Sequence, residues 1–287
     1  MSITIDHIKT IAVAGAGAMG AGIAQVFAQG GYDVKLYDVN TPQLDKAKAD
    51  ITAHLSTAVS KGKLTEEVKT AALSNIQFTN DVNTLIADMV IEAIVERLEV
   101  KQELFRKLAE INLPTTILAS NTSSLSITQI AKSIPQPARV VGMHFFNPAH
   151  LMKLVEVIGG IETAPEVVEL LKTLTIKIGK TPVIAKDSPG FIVNRVARHY
   201  YVESLKIAEE RIAPIETIDA LMEAAGFRMG PFRLMDALGH DVNFAVTSSL
   251  YQAFHQDPKF RPSRLQQQLV DSGRLGKKTG KGFYNYA

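Results

Sequence analysis

Residues 10 to 38 read TIAVAGAGAMGAGIAQVFAQGGYDVKLYD, and this stretch limits the fold more than any other part of the chain. A short apolar run (10–16) suits a buried parallel strand. A helical pattern follows and ends at Gly30-Gly31, and an alternating run (32–38) reads as a second strand. Gly15, Gly17 and Gly20 stand between the first strand and the helix as G-x-G-x-x-G. Gly15 permits a tight turn, Gly17 lets a pyrophosphate approach the backbone, and Gly20 lets helix and strand pack closely. A helix N-terminus there offers unpaired N–H groups and partial positive charge to phosphates. Ala18 and Met19, in the same turn, are counted with the glycines as cofactor contacts. Asp38 ends the second strand, where an acid hydrogen-bonds a ribose 2′-OH and repels a 2′-phosphate, so the pattern favours NAD over NADP. A glycine-rich turn with a strand-capping aspartate is the other reading; strand, loop, helix and acid in register speak for the dinucleotide.

Further strand-like runs are IQFT (76–79), MVIEAI (89–94), TTILAS (115–120), RVVGMHFF (139–146), LVEVI (154–158) and TPVIAK (181–186). Helical patterns lie between several of them, notably VKQELFRKLAEIN (100–112). This alternation predicts an α/β domain: a Rossmann-type, mostly parallel sheet covered on both faces. The forty or so residues after the second strand are too many for a plain crossover. They hold a helical pattern from Leu44 to about Val59, the break SKGK, and a second helix from Thr65, which predicts a projecting helical hairpin. After Pro189-Gly190 strand-like runs stop and helical periods dominate. The expected division is 1–186 for the dinucleotide-binding domain and 187–287 for an all-α C-terminal domain that serves substrate binding and dimerisation.

Composition narrows the function classes. With 31 basic and 29 acidic residues, no whole-molecule field points to nucleic acid or to a membrane surface. The absence of cysteine removes disulfides, a thiol nucleophile and thiolate metal ligands, and no metal site is expected. No apolar run approaches the ~20 residues needed to span a bilayer, and the first residues do not read as a secretion signal. The expectation is a soluble, cytoplasmic protein.

Hydride transfer to a dinucleotide also needs a base for the hydroxyl proton. GMHFFNPAHLMKLVEVI places His144 among phenylalanines and Glu156 among valines, an arrangement that calls for pairing. Asn147-Pro148 makes a turn that brings LVEVI alongside the preceding strand, so Glu156 reaches the imidazole and stabilises it when protonated. The alternative is a core histidine bonded to a backbone carbonyl, with Glu156 in solvent. Of the other histidines, His150 is the rival; His7, His54, His199, His240 and His255 have no carboxylate as suggestively placed.

The segments GAGAMGAGIAQVFAQGGYDVKLYD, EAIVERLEVKQELF, ASNTSSLSIT, GMHFFNPAHLMKLVEV, DSPGFIVNR and GRLGKKTGKGFYNY resemble, in order, the 3-hydroxyacyl-CoA dehydrogenase family, and the likeness spans nearly the whole chain. The resemblance implies reversible, NAD-dependent oxidation of an L-3-hydroxyacyl-CoA to the 3-ketoacyl-CoA. It makes His144 the general base, Glu156 its orienting partner, and Ser123 and Asn194 hydrogen-bond donors to substrate oxygens. It assigns cofactor roles to Glu96, Lys101, Asn121, Asn147 and Lys278, and CoA contacts to Lys61 and His54, the latter standing where some relatives have a smaller polar residue. A chain with one helical domain resembles the short-chain 3-hydroxybutyryl-CoA enzymes of fatty acid β-oxidation, and a homodimer is expected. GFRMGPFRLMDALGHDVNF also resembles relatives acting on 3-hydroxyadipyl-CoA, for which Arg228 or Arg233 is a candidate partner of the distal carboxylate. A non-catalytic, crystallin-like role is the remaining alternative.

Overall fold

A computed structural model describes residues 4–286 as two compact units, the first ending at Ser188 and the second beginning at Pro189. The first unit holds strands β1 (Thr10–Ala14), β2 (Asp33–Tyr37), β3 (Ile76–Thr79), β4 (Met89–Glu92), β5 (Ile117–Ser120), β6 (Val140–Phe145), β7 (Leu154–Gly159) and β8 (Thr181–Lys186). Among the described residues they form one sheet in the order β3-β2-β1-β4-β5-β6-β7-β8. Every neighbouring pair is parallel except β6–β7, which is antiparallel.

Helices α1 (Ala18–Gln29), α4 (Leu98–Ile111), α5 (Ile127–Ala131) and α6 (Pro165–Lys177) accompany the sheet. Strands β4, β5 and β6 are buried at every position, as strands covered on both faces must be. The core runs from Ile11 and Val13 through Ile23, Phe27 and Leu36 to Met143, Val155 and Leu171. Each such side chain contributes roughly 1.5–3 kcal/mol by leaving water. Helix α6 starts on a proline with Glu166 in its first turn and ends with Lys177 in its last, each charge placed to suit the helix dipole.

The long connection after β2 is the expected pair of helices, α2 (Thr41–Ser60) and α3 (Glu66–Ser74). In α2 only Leu44, Ala47, Ile51 and Leu55 are buried, a stripe at i, i+3, i+4 spacing. That stripe joins the core of the sheet, so the hairpin is tied to the domain along one face and meets water on the other. Thr65 caps α3 by accepting the Val68 N–H at 3.4 Å.

In the second unit α7 (Val193–Glu209), α8 (Ile215–Ala224), α9 (Pro231–Leu238), α10 (His240–Ala253) and α11 (Arg264–Asp271) pack around Tyr201, Leu205, Ile218, Phe232 and Met235. Two buried aspartates hold its last residues. Asp219 accepts the Phe232 and Arg233 N–H groups at the start of α9 and the Tyr284 hydroxyl. Asp236 accepts the Phe283 and Tyr284 N–H groups and the Tyr286 hydroxyl. Among its described residues the unit has no strand, only short antiparallel bridges from Lys281 to Gly276 and Asn285.

Candidate active site

The strand order reverses between β1 and β4, and a crevice opens beyond the carboxyl ends of strands at such a point. Gly15 leaves β1 there with φ +106°, and a Cβ on it would lie 2.5 Å from the Ala93 carbonyl oxygen just past β4. A Cβ on Gly20 would collide with the Gly15 carbonyl oxygen, so α1 and the loop touch backbone to backbone. Gly17 differs: a Cβ there would meet nothing within 4 Å. Two glycines are needed by the protein, and the third borders open space at the N-terminus of α1.

Asp38 braces this loop. Its carboxylate accepts the Ala16 N–H at 2.8 Å and the Asn40 N–H at 3.0 Å, while Gln43 donates to the Ala16 carbonyl at 2.8 Å. The loop borders a cleft of about 600 Å³ lined by Gly15, Gly17, Tyr37, Asp38, Val39, Gln43, Ile94, Val95, Val100, Leu104 and Lys107. An open glycine, a helix N-terminus, an acid at the end of β2 and apolar walls fit a dinucleotide, and Gly15, Gly17 and Asp38 would hold it. Gln43 and the apolar wall escaped the sequence reading, because nothing in a helix-start glutamine or scattered valines marks a cleft.

His144 and Glu156 face each other across the β6–β7 pair, and His144 Nδ1 lies 2.8 Å from Glu156 Oε2. Directly opposed residues of antiparallel strands place their side chains on one face. Glu156 is 1% exposed and His144 6%. With Glu156 as a carboxylate, Nδ1–H donates, and Nε2 is the basic nitrogen of the ring. Phe146 packs on the imidazole at 4.6 Å between ring centres.

A second network starts at Glu92, the last residue of β4, which sequence reading passed over as one polar letter in an apolar run. Its carboxylate takes the Lys101 ammonium and the Ser120 hydroxyl at 2.7 Å. Burial pushes the Glu92 carboxyl up, against the pull of Lys101, Ser120 and the Ile94 N–H. Lys101, 1% exposed, also pairs with Glu96 at 3.1 Å. Glu96 in turn accepts the Thr122 hydroxyl at 2.6 Å and the Ser123 N–H at 2.9 Å. Burial works to raise the Glu96 carboxyl, but Lys101 and these donors outweigh it and hold it below the usual range. The structure thus brings Glu96, Lys101 and Ser123 into one chain of contacts. Asn121 joins it to the histidine strand, its side-chain oxygen accepting the Phe145 N–H at 2.8 Å. Asp187 fastens the next helix by accepting the Ser126 hydroxyl and the Ile127 and Thr128 N–H groups, another contribution with no sequence signal.

The other candidates lie as follows. Asn147 is exposed at the turn after β6, followed by a cis Asn147–Pro148 peptide bond. Lys61 is exposed where α2 ends. His54 stacks on His150 at 4.2 Å, and burial, with His54 and Lys180 nearby, pushes the His150 imidazole down. In the second unit Asn194 lies in the first turn of α7, and Lys278 pairs with Asp241 at 2.6 Å. Arg233 is engaged by both Glu223 oxygens, at 2.9 and 3.0 Å, and Arg228 is exposed. One expectation fails: His240 does have a well-placed carboxylate, its Nε2 lying 2.6 Å from Asp236 Oδ1, with both residues buried. The i, i+4 spacing was the available signal.

The model of the 3-hydroxyacyl-CoA dehydrogenase NAD binding domain matches residues 10–188, and that of the family's C-terminal domain matches residues 190–286. The chain is 53% identical to 3-hydroxyadipyl-CoA dehydrogenase of Escherichia coli over 98% of its length, and spans 59% of that protein. It is 42% identical to 3-hydroxybutyryl-CoA dehydrogenase of Bradyrhizobium diazoefficiens, covering 97% of this chain and 96% of the relative. A crystal structure of 3-hydroxybutyryl-CoA dehydrogenase from E. coli superposes with a TM-score of 0.95 at 52% identity, over 98% of this chain and 60% of the other. The glycine loop, its acid and the helical second unit therefore have one source: the chain belongs to the 3-hydroxyacyl-CoA dehydrogenase family, a family of NAD-dependent oxidoreductases.

Proposed function

We propose that this chain catalyses the reversible, NAD-dependent oxidation of an L-3-hydroxyacyl-CoA to the 3-ketoacyl-CoA. The observation that carries the reading is the buried His144–Glu156 pair on the sheet that holds the dinucleotide cleft. His144 Nε2 takes the proton of the 3-hydroxyl, and Glu156 offsets the imidazolium charge that results. In the reverse direction the same nitrogen returns the proton to the carbonyl oxygen. Ser123 and Asn194 hydrogen-bond the oxygens near the reacting carbon, and the Glu92–Lys101–Glu96 chain keeps the Ser123 loop in place. NAD, when bound, supplies the acceptor for the hydride that leaves C3. Lys61 and His54 are placed on the hairpin as contacts to the CoA moiety, and Lys278, Asn147 and Asn121 complete the cofactor set. The active form is a homodimer in the cytoplasm; no helix among the described residues is long and apolar enough to cross a membrane.

The acyl group has two readings. A short one, as in 3-hydroxybutyryl-CoA, follows the name of the Bradyrhizobium relative; a six-carbon one ending in a carboxylate follows the name of the E. coli relative at 53% identity. The experiment is NADH oxidation with acetoacetyl-CoA and 3-oxoadipyl-CoA. Turnover of either is the expected outcome. NADH binding without turnover of either substrate would leave the crystallin-like role standing and remove this one.

A further inference from the structure

One buried lysine is shared by two carboxylates. Glu92, fully buried at the end of β4, takes the Lys101 ammonium, the Ser120 hydroxyl at 2.7 Å and the Ile94 N–H at 2.8 Å. All three are donors, as an ionised carboxylate requires. Glu96 takes the same ammonium at 3.1 Å. Its other oxygen accepts the Thr122 hydroxyl at 2.6 Å and the Ser123 and Ser124 N–H groups at 2.9 and 3.2 Å. Among the described residues neither carboxylate has a second cation at ion-pair distance, so the group carries one negative charge in excess. An unbalanced buried charge is a costly way to hold a loop that neutral hydrogen bonds could hold as well.

The sheet gives that charge a target. The residues after Glu92 are Ala93, Ile94 and Val95, which line the dinucleotide cleft, and the Ala93 carbonyl faces Gly15. With the adenosine half read by Asp38 at the end of β2, the other half of a dinucleotide crosses the switch point toward the carboxyl ends of β4 and β5. Glu92 ends β4, and the loop held by Glu96 follows β5. The half on that side carries the nicotinamide ring, which is cationic in NAD+ and neutral in NADH. A surplus negative charge there attracts one redox state and not the other, and burial protects it from screening by salt.

We propose that Glu92 is a positioning residue that acts through Lys101 and Glu96. It holds a net negative charge on the nicotinamide side of the cleft, which strengthens binding of NAD+ relative to NADH and makes bound NADH the stronger hydride donor. This rests on the dinucleotide site and not on the identity of the acyl group.

The test is calorimetric titration of the full chain with NAD+ and with NADH. Glu92→Gln keeps nearly the same shape and removes one charge. It is expected to raise the Kd for NAD+ about tenfold and to leave the Kd for NADH within about twofold of wild type. Glu92→Asp retains the charge and should retain the wild-type ratio of the two constants. Thermal unfolding reports whether each variant is folded. Should Glu92→Gln not fold, Glu96→Gln removes the same charge from the other end of the group and is judged on the same ratio. An equal loss of affinity for both forms overturns the proposal and leaves the group as a scaffold for the Ser123 loop. An unchanged ratio at unchanged affinity overturns it as well. Failure of the wild type to bind either form defeats the dinucleotide reading itself, a result distinct from loss of discrimination alone.

Discussion

Among the described residues stand two buried histidine–carboxylate pairs of nearly the same length, His144–Glu156 at 2.8 Å and His240–Asp236 at 2.6 Å. They differ in what surrounds them. The second is wholly enclosed: Asp236 also accepts two backbone N–H groups and the Tyr286 hydroxyl, and the amide of Gln266 lies 3.4 Å from the far ring nitrogen. It clamps the last residues of the chain to α9. The first joins two strands of a sheet that opens into a dinucleotide cleft, and Asn121 links its strand to the loop of Ser123. A histidine braced by an acid is therefore a structural device or a proton carrier according to its position in the fold, and the pair geometry alone does not separate them.

The sharpest way to break this comparison is to make one substitution in both places. His144→Gln is expected to lower kcat by ~10²–10⁴-fold, as loss of a general base does, while NADH titration stays close to wild type. His240→Gln should lower the unfolding temperature and leave the turnover of the folded fraction near wild type. Turnover lost at residue 240 and kept at residue 144 would exchange the two roles.

Asp236→Asn sharpens the structural side. Burial works to raise the Asp236 carboxyl, but His240, the Tyr284 and Phe283 N–H groups and the Tyr286 hydroxyl hold it below the ordinary value. A depressed folded value means that the carboxylate stabilises the fold fully above the unfolded value, ~3.9, and that this contribution fades as the pH falls through the folded value. Urea titrations at pH 7 should show the variant less stable by roughly 3–5 kcal/mol, the range for breaking a buried pair. The gap should narrow below pH ~4. A gap independent of pH would mean that shape rather than charge holds the clamp.

How much of this could be read from the letters alone depends on the range of the interaction. Gly15, Gly17, Gly20 and Asp38 sit within one strand–helix–strand unit, where local backbone rules dictate residue type, and they were legible. The sheet strands were legible for the same reason, as apolar runs between helical patterns. Glu92 was not: one acid inside MVIE has no local signature, and its partners Lys101 and Ser120 come from other elements. The Asp236–His240 pair was spelled out at i, i+4 spacing, but the two residues straddle Gly239, at φ +96°, which divides α9 from α10 and hides the register. Arg198 was illegible for another reason: on paper it is one more helix-surface cation, and only the structure shows it buried among Asn243, Thr247 and Tyr201.

On the dinucleotide side the effects are smaller. Asp38→Ala removes the hydrogen-bond acceptor for a ribose hydroxyl and the repulsion of a 2′-phosphate. The preference for NADH over NADPH, measured as a ratio of kcat/KM, should fall about 10- to 100-fold, the range of a hydrogen bond to a charged group. An unchanged ratio would move the reading of the ribose away from Asp38.

The weakest expected effect tests the loop most directly, because Gly17 and Gly20 lie three residues apart and answer to different constraints. An added methyl at Gly20 would run into the Gly15 carbonyl oxygen, so Gly20→Ala should disturb the fold itself. At Gly17 the backbone, with φ −63° and ψ 179°, accepts any residue, and the added methyl meets open space. Gly17→Ala should therefore leave stability within ~0.5 kcal/mol of wild type. It should weaken NADH binding about tenfold, equivalent to ~1.4 kcal/mol, because the methyl takes the space through which a pyrophosphate reaches the start of α1. Fluorescence titration with NADH and thermal unfolding of the same sample separate the two quantities. Full NADH affinity in a normally stable Gly17→Ala chain would place the phosphates elsewhere, and the dinucleotide cleft would lose its anchor.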